Sequence, residues 1–535
     1  MKTLFVNGKI ASLDSQNTFY EAIGINGNKI DFLGSNEAAK EITATYDEVI
    51  YLDGKLLLPG FNDSHMHLLN YGYTLKKMDL TKLDSIENII KAAKNFIKAH
   101  SIIGKKWLLG RGWNQDNLAE NRFPKRADLD KISKDIPILF TRICGHISVC
   151  NTAALNIIGI EHLDKNDPNI HIEDGIFQED ALNILYSAVP SPSLDDIKEM
   201  ILTTCNHLLK NGITSVQTDD LCTMPDQDYK KVLTAYKELN KEKKLPVRVY
   251  QQCLFFDKPS FEEFVELGYK TGMGDTFFKI GPLKLLLDGS LGARTALLRE
   301  DYSDCPKNKG IASFKQEELN ELFDYSQKHG FQVAAHAIGD KAMDMFIDAI
   351  KNSSSYDKNK DNRHGIVHAQ ITNSEILHSM KDLNLIAYVQ PIFLDYDLHI
   401  VRDRVGHRAD ESYAFKTMYD LGIKVCGGSD APVVNFNPFE NIYSAVVRKD
   451  LNLMPDEAYL PNEKLSVTEA LKAFTINGAY SSFEEKIKGS LEVGKLADLI
   501  VLSEDIFNID ENKIKDICVE MTMVNGKIVY KKYLQ

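Results

Sequence analysis

The stretch PGFNDSHMH, residues 59–67, sets Asp63, His65 and His67 within five residues at the end of an apolar run. In a β-strand, residues i and i+2 point to the same side. Two imidazoles so spaced can aim at one point, which is what a metal site needs. Taken alone, the pair reads more readily as two surface histidines than as a metal site. Four more polar residues stand in or at the ends of apolar runs: Lys284 in PLKLLLDGS, His336 in QVAAH, His368 in GIVH and Asp430 in KVCGGSD. Each has an ordinary structural reading. A histidine at a strand end is commonly a satisfied core or loop group, Lys284 could snorkel or pair with a carboxylate, and Asp430 could cap the helix that follows. The argument for chemistry lies in their order along the chain.

The elements that carry them supply that order. Strand-like runs cover 212–218, 247–253, 277–290, 332–340, 364–370, 385–391 and 424–430, with amphipathic helical runs such as 314–330 between them. Strand–helix alternation predicts an α/β fold with a parallel sheet, here a (β/α)8 TIM-like barrel, whose active site lies at the C-terminal ends of the strands. Residues from about 70 to about 200 are too many for one βα connection. They contain strand-like KWLLGRGWN and PILFTRICGH and read as an insertion after the first barrel strand. The two ends of the chain echo each other, with FVNGKI at 5–10 and MVNGKIVY at 523–530. AIGINGNKIDFLG and EVIYLDGKLLLPG add further Asn-Gly and Asp-Gly hairpin signals. These predict a small β-sandwich domain built from residues 1–58 and 485–535, with the barrel at 59–484.

The chain has 535 residues, 44% hydrophobic and 26% charged, an ordinary globular composition. A net charge of −13 without a basic run argues against nucleic-acid binding. No apolar run reaches the roughly 18 residues of a membrane span, and MKTLFVNGKIASLDSQ has no sustained apolar segment of the signal-peptide kind. Eight scattered cysteines, none in C-x-x-C, point to a reduced, cytoplasmic protein.

With the elements in place, a resemblance becomes specific. PGFNDSHMH resembles the P-G-x-x-D-x-H-x-H signature of the amidohydrolase superfamily. KLLLDGSLGARTALL, AAHAIGDKAMD, RHGIVHAQ and GGSDAPVVNFNP resemble its amidohydrolase family 3 branch, which includes N-substituted formamide deformylase-like proteins. GRGWNQD and CGHISVCNTAAL resemble the insertion of that branch. The resemblance implies a centre of one or two divalent metal ions, usually zinc. His65, His67 and Asp430 would bind one ion, His336 and His368 the second. Lys284 stands where two-metal members carry a carbamylated lysine. An amine could not bridge two cations; a carbamate, made with CO2, offers two anionic oxygens that can. Trp113, His146 and Arg294 become candidates for the substrate pocket, with core packing an equal reading for Trp113. Asn114 stands where the branch commonly has an acidic residue, so a contact made by that acid is in doubt.

The chemistry implied is hydrolysis of a non-peptide carbon–nitrogen bond in a small amide or cyclic amide, with water activated by the metal. Asp430 would take the water's proton and give it to the leaving amine. The sequence leaves the oligomeric state open, and the resemblance makes a homodimer one candidate assembly. One alternative is an aminohydrolase that deaminates a small nitrogen heterocycle. Many deaminases place a glutamate three residues after the strand-five histidine, whereas His336 is followed by Ala337, Ile338, Gly339 and Asp340. The other is a non-catalytic ligand-binding relative, which would be expected to have lost ligands; all six positions here hold competent residues.

Overall fold

The computed structural model of the protein describes residues 1–104, 106–160, 163 and 167–532. Eight parallel strands lie side by side in chain order: β1 (Phe61–Met66), β2 (Ile213–Thr218), β3 (Arg248–Leu254), β4 (Phe278–Leu286), β5 (Val333–Ala337), β6 (Gly365–His368), β7 (Ile386–Val389) and β8 (Lys424–Gly427). Helices Tyr229–Lys241, Lys258–Glu266, Gln316–Lys328, Asp340–Asn352, Ser374–Asp382 and Pro438–Val447 alternate with them. Several begin where the sequence supplies a cap: Asp228, Asp257, Asn373 and Asn437 each accept a hydrogen bond from a backbone N–H of the first turn. The strands are buried almost throughout, as a sheet covered on both faces must be. The expected (β/α)8 fold is the one the chain adopts.

Between β8 and β1 the sheet nearly closes on itself. Asp430 N donates to His65 O at 2.8 Å, and His67 N donates to Ala431 O at 2.8 Å. Asp63 accepts from the backbone N–H of both His65 (3.2 Å) and Ser429 (3.0 Å). A side chain at Gly428 would stand 2.6 Å from His65 N, so this approach requires glycine. The first acid of the PGFNDSHMH stretch is thus a fastener between the first strand and the loop after the last.

Near the N-terminal ends of the strands, Glu484 is buried between two lysines. Its carboxylate lies 2.7 Å from Lys279 and 2.9 Å from Lys488, and Lys488 also donates to Ser215 Oγ at 2.8 Å. Burial alone would raise the Glu484 carboxyl; Lys488 and Lys279 outweigh it and bring it down from 4.5 to about 2. A depressed carboxyl adds stability above its unfolded pKa, and that stability is lost as pH falls toward the folded value. Glu484→Gln should therefore destabilise the protein by roughly 3 kcal/mol at neutral pH. The deficit should shrink as pH falls below about 4.5. Denaturant melts at several pH values measure it, and a pH-independent gap would contradict the ion-pair account.

Two further sheets pack as a sandwich. One runs Lys29–Gly34, Ala22–Asn26, Lys2–Val6, Glu48–Tyr51; the other runs Lys527–Lys531, Val519–Val524, Leu499–Leu502, Leu56–Pro59, Lys9–Ala11, Phe19–Tyr20. Phe5, Ile23, Ile25 and Ile30 from the first meet Leu57, Leu499, Val501 and Met521 from the second. Arg248 of β3 holds Asp498 with two hydrogen bonds, 2.6 and 2.9 Å, both side chains buried. The hairpin reading holds for residues 22–34 and for the C-terminal pair, which are antiparallel. It fails at Asn7-Gly8 and Asp53-Gly54. There the strands on either side of the turn enter different sheets, so each turn is a crossing of the sandwich. At Gly8 the chain passes against Leu52, where a side chain would stand 2.4 Å from Leu52 Cδ1.

Residues 71–196, with 224–226, form a second compact unit. Its sheet runs Ile170–His171, Ile176–Gln178, Ile147–Cys150, Ile138–Arg142, Leu108–Trp113, Met78–Asp79. One face packs Leu108 and Phe140 against the helix Ile86–Ala99, which Ser85 caps. The other packs Leu139 against the helices Thr152–Ile158 and Leu182–Ala188. Among the described residues, no helix is long and apolar enough to cross a membrane.

Candidate metal centre

Four imidazoles gather at the C-terminal ends of β1, β5 and β6. Ring centroids lie 5.3 Å apart for His65 and His67, 5.8 Å for His65 and His368, and 4.4 Å for His336 and His368. Asp430 follows β8, and its Oδ1 lies 3.3 Å from His65 Nε2 and 3.0 Å from His67 Nε2. His368 and Asp430 both hold left-handed backbone, at φ 80° and 63°. Such strain costs on the order of 1–3 kcal/mol per residue and is found where function fixes a side chain.

The outer nitrogen of each ring is occupied. His65 Nδ1 faces Gln252 Oε1 at 3.0 Å, and the Gln252 amide is oriented by its Nε2 bond to Ser64 O. His368 Nδ1 faces Gln390 Oε1 at 2.6 Å, with Gln390 Nε2 donating to Tyr388 O. His67 Nδ1 lies 2.5 Å from Asp219 Oδ1. An amide oxygen only accepts, so it assigns the proton of His65 and of His368 to Nδ1 and leaves Nε2 as a lone pair. His336 is turned the other way. Its Nε2 lies 3.0 Å from Gly289 O and 3.2 Å from Asp288 Oδ1, which leaves Nδ1 free to act as a ligand. Lone-pair nitrogens beside a carboxylate oxygen are a donor set for a divalent cation, and anchored outer nitrogens are what metal-binding histidines ordinarily have. His65, His67 and Asp430 offer ligand atoms all within 4.8 Å of one another.

The field at this point favours positive charge. Burial opposes a charged His67, yet Asp219 and Asp430 together raise its pKa well above the ordinary value. A proton on the ring or a cation at Nε2 would both answer that demand. His65 and His368 are pushed the other way, first by burial, then by Lys284 and His336 respectively. Burial would raise Asp430, but the imidazoles beside it, His65 and His67, hold it well below the carboxylate range. Lys284 is buried, with Nζ 3.2 Å from Asp219 Oδ2. Asp219 is itself driven to low pKa: burial opposes, and His67 and Lys284 prevail.

Asp219, Gln252, Asp288 and Gln390 were not among the residues singled out from the sequence. The positional signal was present, since Asp219 directly follows β2 and Gln390 directly follows β7. Asp220, next to Asp219, accepts from Leu69 N at 2.7 Å and Asn70 N at 3.3 Å and so caps the helix Leu68–Leu75. Removing one outer anchor tests the arrangement. Gln390→Ala should weaken metal binding by roughly 10–100-fold, the usual effect of losing a hydrogen bond to a liganding histidine. Titration against a competing chelator reads it, and unchanged affinity would mean that His368 needs no anchor.

The three substrate-pocket candidates are placed differently. Trp113 is 1% exposed in the core of the second unit, with Nε1 donating to Phe140 O at 3.1 Å and an edge contact to Phe123. Of the two readings open to it from the sequence, this placement supports core packing. The strand register shifts between Arg111 and Trp113, where Gly112 has φ 114°, and this bulge turns the indole into the core beside Leu108 and Phe140. His146 is exposed and pairs with Glu179 at 2.9 Å. Arg294 closes its guanidinium on Asp304 at 3.0 and 2.8 Å. Asn114 Oδ1 accepts from Arg142 at 3.1 Å.

Comparison with known proteins places this geometry in context. The amidohydrolase family profile matches residues 48–530. The chain is 31% identical to the putative amidohydrolase YtcJ of Bacillus subtilis, over 99% of this chain and all of that protein. It is 24% identical to the N-substituted formamide deformylase of Arthrobacter pascens, over 99% of this chain and 98% of that one. A crystal structure of a metal-dependent hydrolase from Pyrococcus furiosus superposes with a TM-score of 0.80 at 29% identity, covering 95% of this chain and all of the other.

Proposed function

Since the chain belongs to the amidohydrolase family, we propose that it hydrolyses a carbon–nitrogen bond, other than a peptide bond, in a small amide or cyclic amide. The observation that carries the reading is the anchored imidazole cluster on Asp430: His65 and His67 turn Nε2 to one carboxylate oxygen, with both outer nitrogens occupied. His65, His67 and Asp430 would hold one ion, His336 and His368 a second, and a carbamate on Lys284 would add anionic oxygens to the donor set. Imidazole-rich donors with carboxylates suit zinc. A bound divalent cation supplies acidified water and polarises the substrate carbonyl.

The protein's own groups do the rest. Asp430 is ionised, with Oδ1 beside Nε2 of His65 and His67, so it is placed to take a proton from water and return it to the leaving nitrogen. Gln252 and Gln390 fix ring orientation. The substrate class is supported by the relative named for N-substituted formamides. All eight cysteines are free, which supports a reducing, cytoplasmic setting.

The deaminase reading is disfavoured by Gly339, three residues after His336. A side chain there would stand 1.9 Å from Leu297 O, so no glutamate fits. Asp340, the next residue, accepts from Arg299 N and Lys341 N. The test is a panel of N-formyl, N-acyl and cyclic amides beside aminopyrimidines and aminotriazines, with zinc-replete enzyme. Amine and carboxylate release from the amides is expected. Ammonia release from the heterocycles alone would overturn the proposal.

A further inference from the structure

The second unit carries an open cavity of about 440 Å3 that is lined by Tyr73, Lys77, Leu109, Arg111, Leu139 and Tyr186, among others. Its floor follows from strand alternation. Leu109 and Arg111 share one face of their strand, and Leu139 and Thr141 stand opposite them in register. The helix Leu182–Ala188 brings Tyr186 to the same face. Two cations therefore enter a space with aromatic and aliphatic walls.

Among the described residues, Lys77 and Arg111 have no carboxylate partner. The acid opposite Arg111 in register, Asp79, has its Oδ1 taken by Thr81 N and Oγ1 at 2.9 and 2.7 Å. Lys77 instead rests its ammonium 4.1 Å from the centre of the Tyr73 ring. Burial, and then the like charge of Arg111, lower the Lys77 pKa from 10.5 to about 8. Lys77 is half-buried and Arg111 exposed at the rim of the cavity. Two like charges kept side by side, with no carboxylate partner among the described residues, attract an anion between them.

We propose that this cavity is a binding site for a small organic carboxylate with an aromatic or aliphatic body. Arg111 offers the planar fork that matches a carboxylate, and Lys77 a point charge beside it. Tyr73, Leu139 and Tyr186 would cover the body. The volume is that of an ordinary small-molecule site. This inference is independent of the hydrolytic reading, since it uses none of the residues of the metal centre.

Benzoate is the probe, titrated calorimetrically into the zinc-replete full-length protein, with benzamide as its neutral counterpart. One equivalent of benzoate should bind, and benzamide should bind at least about tenfold more weakly. Lys77→Met and Arg111→Met should each weaken benzoate by about tenfold or more, with thermal melts showing both variants folded. Lys77→Arg, which keeps the charge, should retain binding and guards against a purely structural loss. Four results would overturn the proposal: no benzoate binding; equal binding of benzamide; benzoate binding that survives both Met variants, which would put the anion on the metal centre; or displacement by inorganic phosphate at equal concentration, which would make it a simple anion site.

Discussion

Asp430→Asn should lower turnover by roughly 10²–10⁴, the range for loss of general acid–base help. The amide keeps the size of the carboxylate and one oxygen, so an oxygen ligand remains beside His65 and His67 Nε2, which lie 3.3 and 3.0 Å from Asp430 Oδ1. It cannot accept the water's proton at working pH. Metal content should fall less than activity, because the imidazoles and their outer anchors remain. A helix-capping role predicts the opposite, since Asn caps about as well as Asp. Elemental analysis and turnover on the purified variant separate the cases, with a thermal melt as the fold control. Near-normal turnover at full metal occupancy would remove Asp430 from the chemistry.

Lys284→Ala should remove one metal equivalent and most activity, and millimolar acetate should restore part of both. The structure adds a condition to this expectation. Lys284 lies 3.2 Å from Asp219, a fully buried carboxylate. A carbamate in place of the ammonium would set two anions side by side, so it should persist only where cations offset them. The labelled carbamate carbon should then appear in NMR spectra of protein loaded with metal and 13C-bicarbonate, and vanish after chelation. Full activity with one ion and an unmodified Lys284 would refute the bridge and leave Lys284 as the counterion of Asp219.

The barrel and its cluster were legible because the signals are local. An apolar run ending in histidine says both where a strand stops and which way the polar end faces, so His65, His67, His336 and His368 could be read together. Asp219 had the same positional signal, but an Asp-Asp pair after a strand reads as an ordinary polar loop. Only the fold shows that Asp219 turns to His67 and Lys284 while Asp220 caps a helix. Gln252 and Gln390 could not be read at all, since neutral amides carry no charge or ligand signature and matter only through the ring they touch. The turns failed for a related reason. Asn-Gly specifies a tight turn, not which sheet receives the next strand. Trp113 stood between pocket and core in the sequence because one bulge residue reverses the face of everything after it.

The strand Leu56–Pro59 has Lys9–Ala11 on one side and Leu499–Leu502 on the other. On the ribosome these neighbours are not contemporaries. The N-terminal side is made first, and the other only after the entire barrel between them has left the exit tunnel. Throughout that interval Leu56–Pro59 is an unsealed apolar edge, directly joined to β1 and hence to the histidine pair. At ordinary elongation rates of roughly 5–20 residues per second, the interval lasts tens of seconds. The nascent chain thus carries an aggregation-prone edge for most of its synthesis. Termination before Leu499 would leave that edge permanently open, so premature stop codons upstream of Leu499–Leu502 should produce chains that chaperones hold or proteases clear, whatever the state of the barrel.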